Sequence, residues 1–305
     1  MGTPEFAVMP LVRLYEDGHE IVAVFTQPDK ARNRGMKVSY GPVKETALAR
    51  NTPCFQLKSL RTAAAAEIIR GLNCDIIVVV AYGKLLPKSI LEIPPHGCIN
   101  IHASLLPKYR GAAPIHWAII NGESISGVTA IQMDEALDEG DIILAKSTPI
   151  GEEETSAQLH DRLSLLGASL LSETLDEIAT GRASRTAQNH KEATYAPSID
   201  KGISPIDWTD TARQIKQKVQ GLNSWPVATA MIGGIAHKIY SVDIDENALA
   251  QGDIGDIVYA GPQGISIVCA DGVVTIKELQ APNGKRMSAA DYLRGRKIPN
   301  STVSR

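Results

Sequence analysis

Two short runs, residues 21–26 (Ile-Val-Ala-Val-Phe-Thr) and 75–81 (Asp-Ile-Ile-Val-Val-Val-Ala), are apolar and mostly β-branched, with no polar residue alternating along them. Strands of that composition belong to parallel sheets covered on both faces. Between them, helical spacing at 43–50 and 62–72 supplies the crossover that parallel neighbours require. Further strands are predicted near 97–101, 128–133 and 141–147, with a helix around 115–120. The expected fold class is α/β, with a Rossmann-like, mostly parallel sheet. No G-x-G-x-x-G follows any of these strands, which argues against a nicotinamide dinucleotide site.

The longest helix is predicted from Ser156 to about Ala179, after the acidic run Glu152-Glu153-Glu154. Leu159, Leu163, Leu166, Leu170, Leu175 and Ile178 recur at helical spacing, and Gly181 is a natural stop. Residues 1–180 are thus read as one domain. Residues 181–203 are polar, contain Pro197, and read as a linker. In 204–305 a helix is expected from Asp207 through Gly221. Short glycine-punctuated strands then follow at 227–232, 236–242, 255–259, 265–269 and 273–279, the pattern of a small β-barrel. Trp225, beside Pro226, is left without a role.

Asn100 and His102 lie two apart at the end of a predicted strand, so their side chains point to one side. Open α/β sheets bind ligands beyond the carboxyl ends of their strands, and here a proline-containing loop follows at once. An amide beside an imidazole suits acyl-group chemistry: one holds a developing oxyanion while the other moves or donates a proton. Asp138, in the cluster Asp134, Glu135, Asp138, Glu139 and Asp141, sits in a Gly140-containing turn open to a pocket. Each residue alone has an ordinary explanation, Asn100 as a strand cap and Asp138 as a turn residue. His19, His96, His116, His160, His190 and His237 read as scaffold. A Ser104–His102–Asp138 hydrolase triad fits poorly, because no G-x-S-x-G elbow surrounds Ser104.

The 305 residues carry 31 Lys and Arg against 34 Asp and Glu, a net charge of -3, so any nucleic-acid contact must come from a local patch. Residues 29–37 provide one, with Lys30, Arg32, Arg34 and Lys37 against a single acid and no helical or strand periodicity. Cys54, Cys74, Cys98 and Cys269 form no C-x-x-C pair and no metal-ligand spacing, which points to a reducing compartment and to thiols used as small hydrophobes.

Taken in order, Asn-x-His at 100–102, Ser-Leu-Leu-Pro-x-x-Arg-Gly at 104–111 and Leu-Asp-x-Gly at 137–140 resemble the folate-dependent formyltransferases. Met-Gly-Thr-Pro-Glu-Phe-Ala-Val at 1–8, Thr-Gln-Pro-Asp-Lys at 26–30, Tyr-Gly-Lys-Leu-Leu-Pro at 82–87, Ile-Asp-Trp at 206–208 and Lys-Arg-Met-Ser-Ala at 285–289 extend the likeness to the methionyl-tRNA branch of that family. The resemblance spans nearly the whole chain. It implies a catalytic domain followed by an OB-like β-barrel that helps hold tRNA. It also implies transfer of formyl from 10-formyltetrahydrofolate to the methionine amino group of initiator tRNA, for translation initiation. With the cysteine pattern, a cytoplasmic protein without a metal is expected, and a monomer.

By the same resemblance Asn100, His102 and Asp138 are catalytic, with Asp138 orienting His102. Ser104, Leu105, Leu106 and Pro107, with Tyr82, Gly83, Leu85 and Leu86, face the folate. Lys30, Arg32, Arg34 and Lys37 meet the tRNA, Arg34 nearest the first acceptor base pair. Two alternatives stay open: a formyltransferase acting on an aminosugar nucleotide, and a catalytically silent RNA-binding relative. One departure stands out. Family members carry a short apolar strand ahead of the 1–8 motif, whereas the motif here opens the sequence. A central strand is therefore expected to be missing, leaving apolar edges uncovered and the fold less stable.

Overall fold

Residues Cys98–His102 form a strand in which every side chain is buried, the outcome expected when a strand has neighbours on both edges and layers on both faces. In the computed structural model, which describes residues 1–29, 40–245, 252–295 and 298, it is paired in parallel with Ile77–Val79 on one side. On the other side it is antiparallel to Ile125–Gln132, which in turn pairs antiparallel with Ile142–Pro149. The sheet is therefore mixed. Among the described residues the parallel strand pairs are Ile77–Val79 with Cys98–His102, Val24–Phe25 with Cys54–Phe55, and a two-residue pair discussed below, with isolated parallel bridges at Gly2–Val80 and Pro205–Thr229.

The chain divides into two units: residues 1–114, 125–149 and 160–197, and residues 115–124, 150–159 and 198–305. In the first, the helix Ser156–Ala179 presents Leu163, Leu170, Leu171 and Leu175 as a buried stripe. Full burial of each such side chain is worth about 1.5–3 kcal/mol. Gly167 lets that helix close on the sheet, since a Cβ there would lie 3.2 Å from Ile101 Cγ2. The strand predicted over 21–26 is realised only at Val24–Phe25. Among the described residues the backbone of 20–23 makes no backbone hydrogen bond, and a cavity of about 530 Å³ opens beside it, lined by Leu11, Leu14, Val22, Ile76, Val78 and Leu175 among others. At its inner end the Met1 amine donates to Val78 O at 2.6 Å, Val80 N donates to Met1 O at 2.9 Å and Gly2 N donates to Phe25 O at 3.0 Å. Met1 and Gly2 thus form the rungs of a ladder between two strand edges that stand apart further along.

In the second unit the helix spans Ala212–Gly221 instead of starting at Asp207. Thr211 is its N-cap, in a capping box with Gln214, while Asp207 Oδ1 accepts from Thr209 N in a local turn that precedes the helix. An antiparallel sheet follows in the order Ile257–Gly261, Gly264–Val268, Val273–Gln280, Ile235–Asp245, Ala228–Ile232. Its core gathers Trp208, Ile215, Val219, Ile239, Ile265 and Ile276. The expected strands are present, but among the described residues no pairing joins the first and last strands into a closed barrel. No helix among the described residues is long and apolar enough to cross a membrane.

Candidate active site

The strand Cys98–His102 delivers Asn100 and His102 to one side, as their spacing predicts, and both are nearly buried, at 8% and 6% exposure. Asp138 reaches them from the turn after Ile125–Gln132. Its Oδ1 accepts from Asn100 Nδ2 at 3.3 Å, its Oδ2 accepts from Gly111 N at 2.9 Å, and the same Oδ2 lies 3.6 Å from His102 Nδ1. The carboxylate is thus shared by an amide, a backbone N–H and an imidazole. His102 Nε2 lies 2.9 Å from Tyr109 O. A carbonyl only accepts, so Nε2 carries hydrogen and Nδ1 is the nitrogen turned toward Asp138.

Asp138 adopts φ 55, in the left-handed region that asparagine and aspartate tolerate better than most residues. Two residues on, a Cβ on Gly140 would lie 1.8 Å from Gln132 O, so only glycine lets the turn pass the strand end this closely. The loop after His102 is knit from within. Ser104 Oγ donates to Lys108 O at 2.6 Å, and Thr129 Oγ1 donates to Ser104 O at 2.7 Å while accepting from Leu106 N at 3.1 Å. Ser104, expected to face the folate, is 2% exposed with its hydroxyl given to a carbonyl of its own loop.

The residues expected to face a folate divide in two. Tyr82 and Leu86 are buried in the core with Phe25, Ile77 and Ile90, and burial raises the Tyr82 phenol above its usual range. Gly83 and Leu85 are exposed, on a loop whose Tyr82 and Gly83 carbonyls accept from Gln27 Nε2 at 3.0 and 3.3 Å. In the other group Leu106 is buried, while Leu105 and Pro107 are half-buried. Leu105 sits on Gly127, where a Cβ would come 2.6 Å from Leu105 Cδ2. Lys30, Arg32, Arg34 and Lys37 lie outside the described residues.

Sequence reading missed the partners that hold this arrangement together. Within 181–203, expected as a linker, Thr186 pairs with Ile142, and Tyr195–Ala196 pairs in parallel with Arg110–Gly111. Thr194 Oγ1 accepts from Tyr109 N at 2.8 Å, and Gln188 is buried behind the Asp138 turn. No periodicity marks these residues; only their approach in space does. Among the described residues no cluster of three or more His, Cys, Asp or Glu side chains is arranged to hold a metal ion. Burial pushes the Cys98 thiol up to about 12, leaving it an apolar packing group.

Comparison with known proteins identifies the family. Residues 1–175 match the model of a family described as formyl transferase, and residues 198–297 match the formyl transferase C-terminal domain. A methionyl-tRNA formyltransferase of Trichlorobacter lovleyi is 46% identical over 303 residues, covering 99% of this chain and 95% of that protein. One of Alkaliphilus oremlandii is 47% identical over 303 residues, covering 99% and 97%. Among solved structures, the sugar 3N-formyl transferase WlaRD, crystallised in the presence of dTDP and 5-N-formyl-THF, shares the fold at TM-score 0.68 and 20% identity, covering 93% of this chain and 97% of that one. With an Asn–His–Asp centre at the end of a mixed sheet, two matching domain models and relatives this similar along nearly their full length, the chain belongs to the formyl transferase family.

Proposed function

We propose that this protein transfers the formyl group of 10-formyltetrahydrofolate to the α-amino group of methionine carried by initiator tRNA, as a cytoplasmic monomer with Asn100, His102 and Asp138 as its catalytic residues. The observation that carries the reading is the meeting of these three side chains around one carboxylate. Near-full-length similarity to methionyl-tRNA formyltransferases supports the choice of acceptor. The scattered, unpaired cysteines support a reducing cytoplasm.

The reaction needs an amine nitrogen to add to the formamide carbon, pushing the C=O electron pair onto oxygen. Collapse then breaks the bond to N10, and the amine proton ends on that departing nitrogen. One Asn100 amide hydrogen goes to Asp138, which orients the other toward the growing oxyanion; one such donor is worth about 3 kcal/mol in the transition state. With Nε2–H held by Tyr109 O, a protonated His102 places its second hydrogen toward Asp138 and its positive charge beside the same oxygen. Asp138 can accept the amine proton and return it to the departing N10, with His102 beside it steadying the charge. Tyr82, Gly83, Leu85 and Leu86, with Ser104, Leu105, Leu106 and Pro107, would hold the folate cosubstrate: the exposed Leu85 and half-buried Leu105 and Pro107 offer apolar contact, and the backbone of Gly83 is open to polar contact. Lys30, Arg32, Arg34 and Lys37 supply phosphate contacts to the tRNA.

The test is formyl transfer to initiator methionyl-tRNA beside an aminosugar nucleotide acceptor, with a folded preparation and a no-acceptor control. Formylated methionyl-tRNA as the product, lost in His102→Ala, is expected. Transfer to the sugar alone would assign the second reading, and folate binding without transfer would assign a silent relative.

A further inference from the structure

Arg110 is the largest fully buried side chain in the described protein, at 1% exposure. A buried guanidinium is tolerated only where its five donors are met. Here Nη1 pairs with Glu139 Oε1 at 3.0 Å, Nε and Nη2 donate to Gln188 Oε1 at 3.1 and 2.7 Å, and Nη2 also approaches His190 Nδ1 at 3.3 Å. The Gln188 amide is in turn used at both ends. Its Nε2 donates to Asp138 O and to Gly140 O, each at 2.8 Å. One amide thus spans the turn that carries Asp138, gripping the carbonyls on both sides of Glu139, while the Arg110 fork fixes the amide's own orientation.

That turn is the one whose conformation decides where the Asp138 carboxylate goes. Asp138 is held at φ 55, a conformation aspartate can adopt but that the surrounding hydrogen bonds must select over the commoner right-handed one. Were the turn to relax, Oδ1 and Oδ2 would leave Asn100 Nδ2, Gly111 N and His102 Nδ1 together, because all three contacts come from one side chain. Arg110 and Gly111 are tied to the same strap, since Arg110 N donates to Thr194 O at 2.9 Å and Ala112 N to Ala196 O at 2.9 Å. Residues 186–196 therefore brace the catalytic loop and the Asp138 turn at once.

We propose that Gln188 is a positioning residue for formyl transfer: its side-chain amide, locked by Arg110, holds the Asp138 turn in the conformation that delivers the carboxylate to Asn100 and His102. This rests on the reading of Asp138 as catalytic. Gln188 touches neither substrate nor reacting atoms, so its effect belongs in kcat and runs through Asp138.

The experiment compares full-length wild type, Gln188→Met, Gln188→Glu, Asp138→Asn and Gln188→Met/Asp138→Asn in steady-state formyl transfer to initiator methionyl-tRNA, with Tm measured for each. Gln188→Met keeps the volume without the amide. Gln188→Glu keeps the oxygen toward Arg110 but, when ionised, has no hydrogen for the carbonyls of 138 and 140, so it serves if the apolar variant does not fold. Both should lower kcat by about 10–100-fold with KM for formyl donor and tRNA changed less than about threefold. In the Asp138→Asn background the same Gln188 substitution should cost less than about threefold further, because the group it positions is already disabled. Unchanged kcat in both folded Gln188 variants, or a full multiplicative loss in the double variant, overturns the proposal. An Asp138→Asn enzyme as active as wild type would instead overturn the catalytic reading beneath it.

Discussion

The role proposed for Asp138 rests on position: two hydrogen bonds and one imidazole contact converge on a carboxylate whose backbone is left-handed. Gly140 is the neighbour that makes this backbone path possible. Gly140→Ala must move a Cβ out of a 1.8 Å approach to Gln132 O, against backbone that cannot yield cheaply. The expected result is a loss of about 2–4 kcal/mol in urea unfolding, with kcat falling as well because the turn shifts. The meeting of Asn100, His102 and Asp138 was legible because a strand's period of two and a glycine turn are local signals. Gln188 was not, since it lies in a polar, aperiodic stretch and gains meaning only by meeting Arg110 and two distant carbonyls. Tyr82 shows the converse. Its side chain is 1% exposed in the core, a burial its motif does not signal, and its neighbours Gly83 and Leu85 are at the surface.

At the level of elements, the cavity beside 20–23 and 76–78 is where the sequence and the sheet disagree most. Residues 21–23 have strand composition, but a strand is completed by a partner's backbone, and composition alone does not supply one. Burial at the head of this cavity lowers the Met1 amine from 8.0 to about 6. An amine whose folded value is depressed gives full stability above pH 8, loses it as pH falls toward 6, and loses no more below that. Two units correspond to roughly 3 kcal/mol. Urea unfolding at pH 9 and pH 6 should therefore differ more for the free amine than for a chain acetylated at Met1, whereas identical pH dependence would discount the buried amine. The same geometry leads to a second expectation. Four or five apolar, β-branched residues placed ahead of Met1 can continue the ladder that Met1 and Gly2 begin and fill the cavity, raising Tm by about 5–10 °C. Equal melting temperatures with and without the extension would refute it.

Across the whole molecule, the α/β character of the first unit and the short-strand character of the second were readable from hydrophobic pattern, because burial on two faces or on one leaves different signatures. The direction of pairing was not: nothing in 125–132 or 142–149 distinguishes an antiparallel from a parallel neighbour, and that choice made the sheet mixed. Likewise the second sheet's strands were readable, while its closure depends on pairings between its ends that no local signal encodes. With a net charge of -3, the proposed attraction to tRNA rests on local cations, and Lys30, Arg32, Arg34 and Lys37 are the candidates. KM for tRNA should rise steeply between about 50 and 200 mM salt while KM for the formyl donor stays nearly flat, and Arg34→Ala should weaken that slope. Parallel salt dependence of the two KM values would argue against an electrostatic tRNA contact.

The most direct measurement is single-turnover formyl transfer to initiator methionyl-tRNA by wild type and Asn100→Ala at saturating formyl donor, alongside equilibrium binding of the donor. A drop of about 100-fold or more in the transfer rate, with donor affinity unchanged, is the expected result for a lost oxyanion donor. An Asn100→Ala enzyme that transfers formyl as fast as wild type would contradict the assignment of this centre.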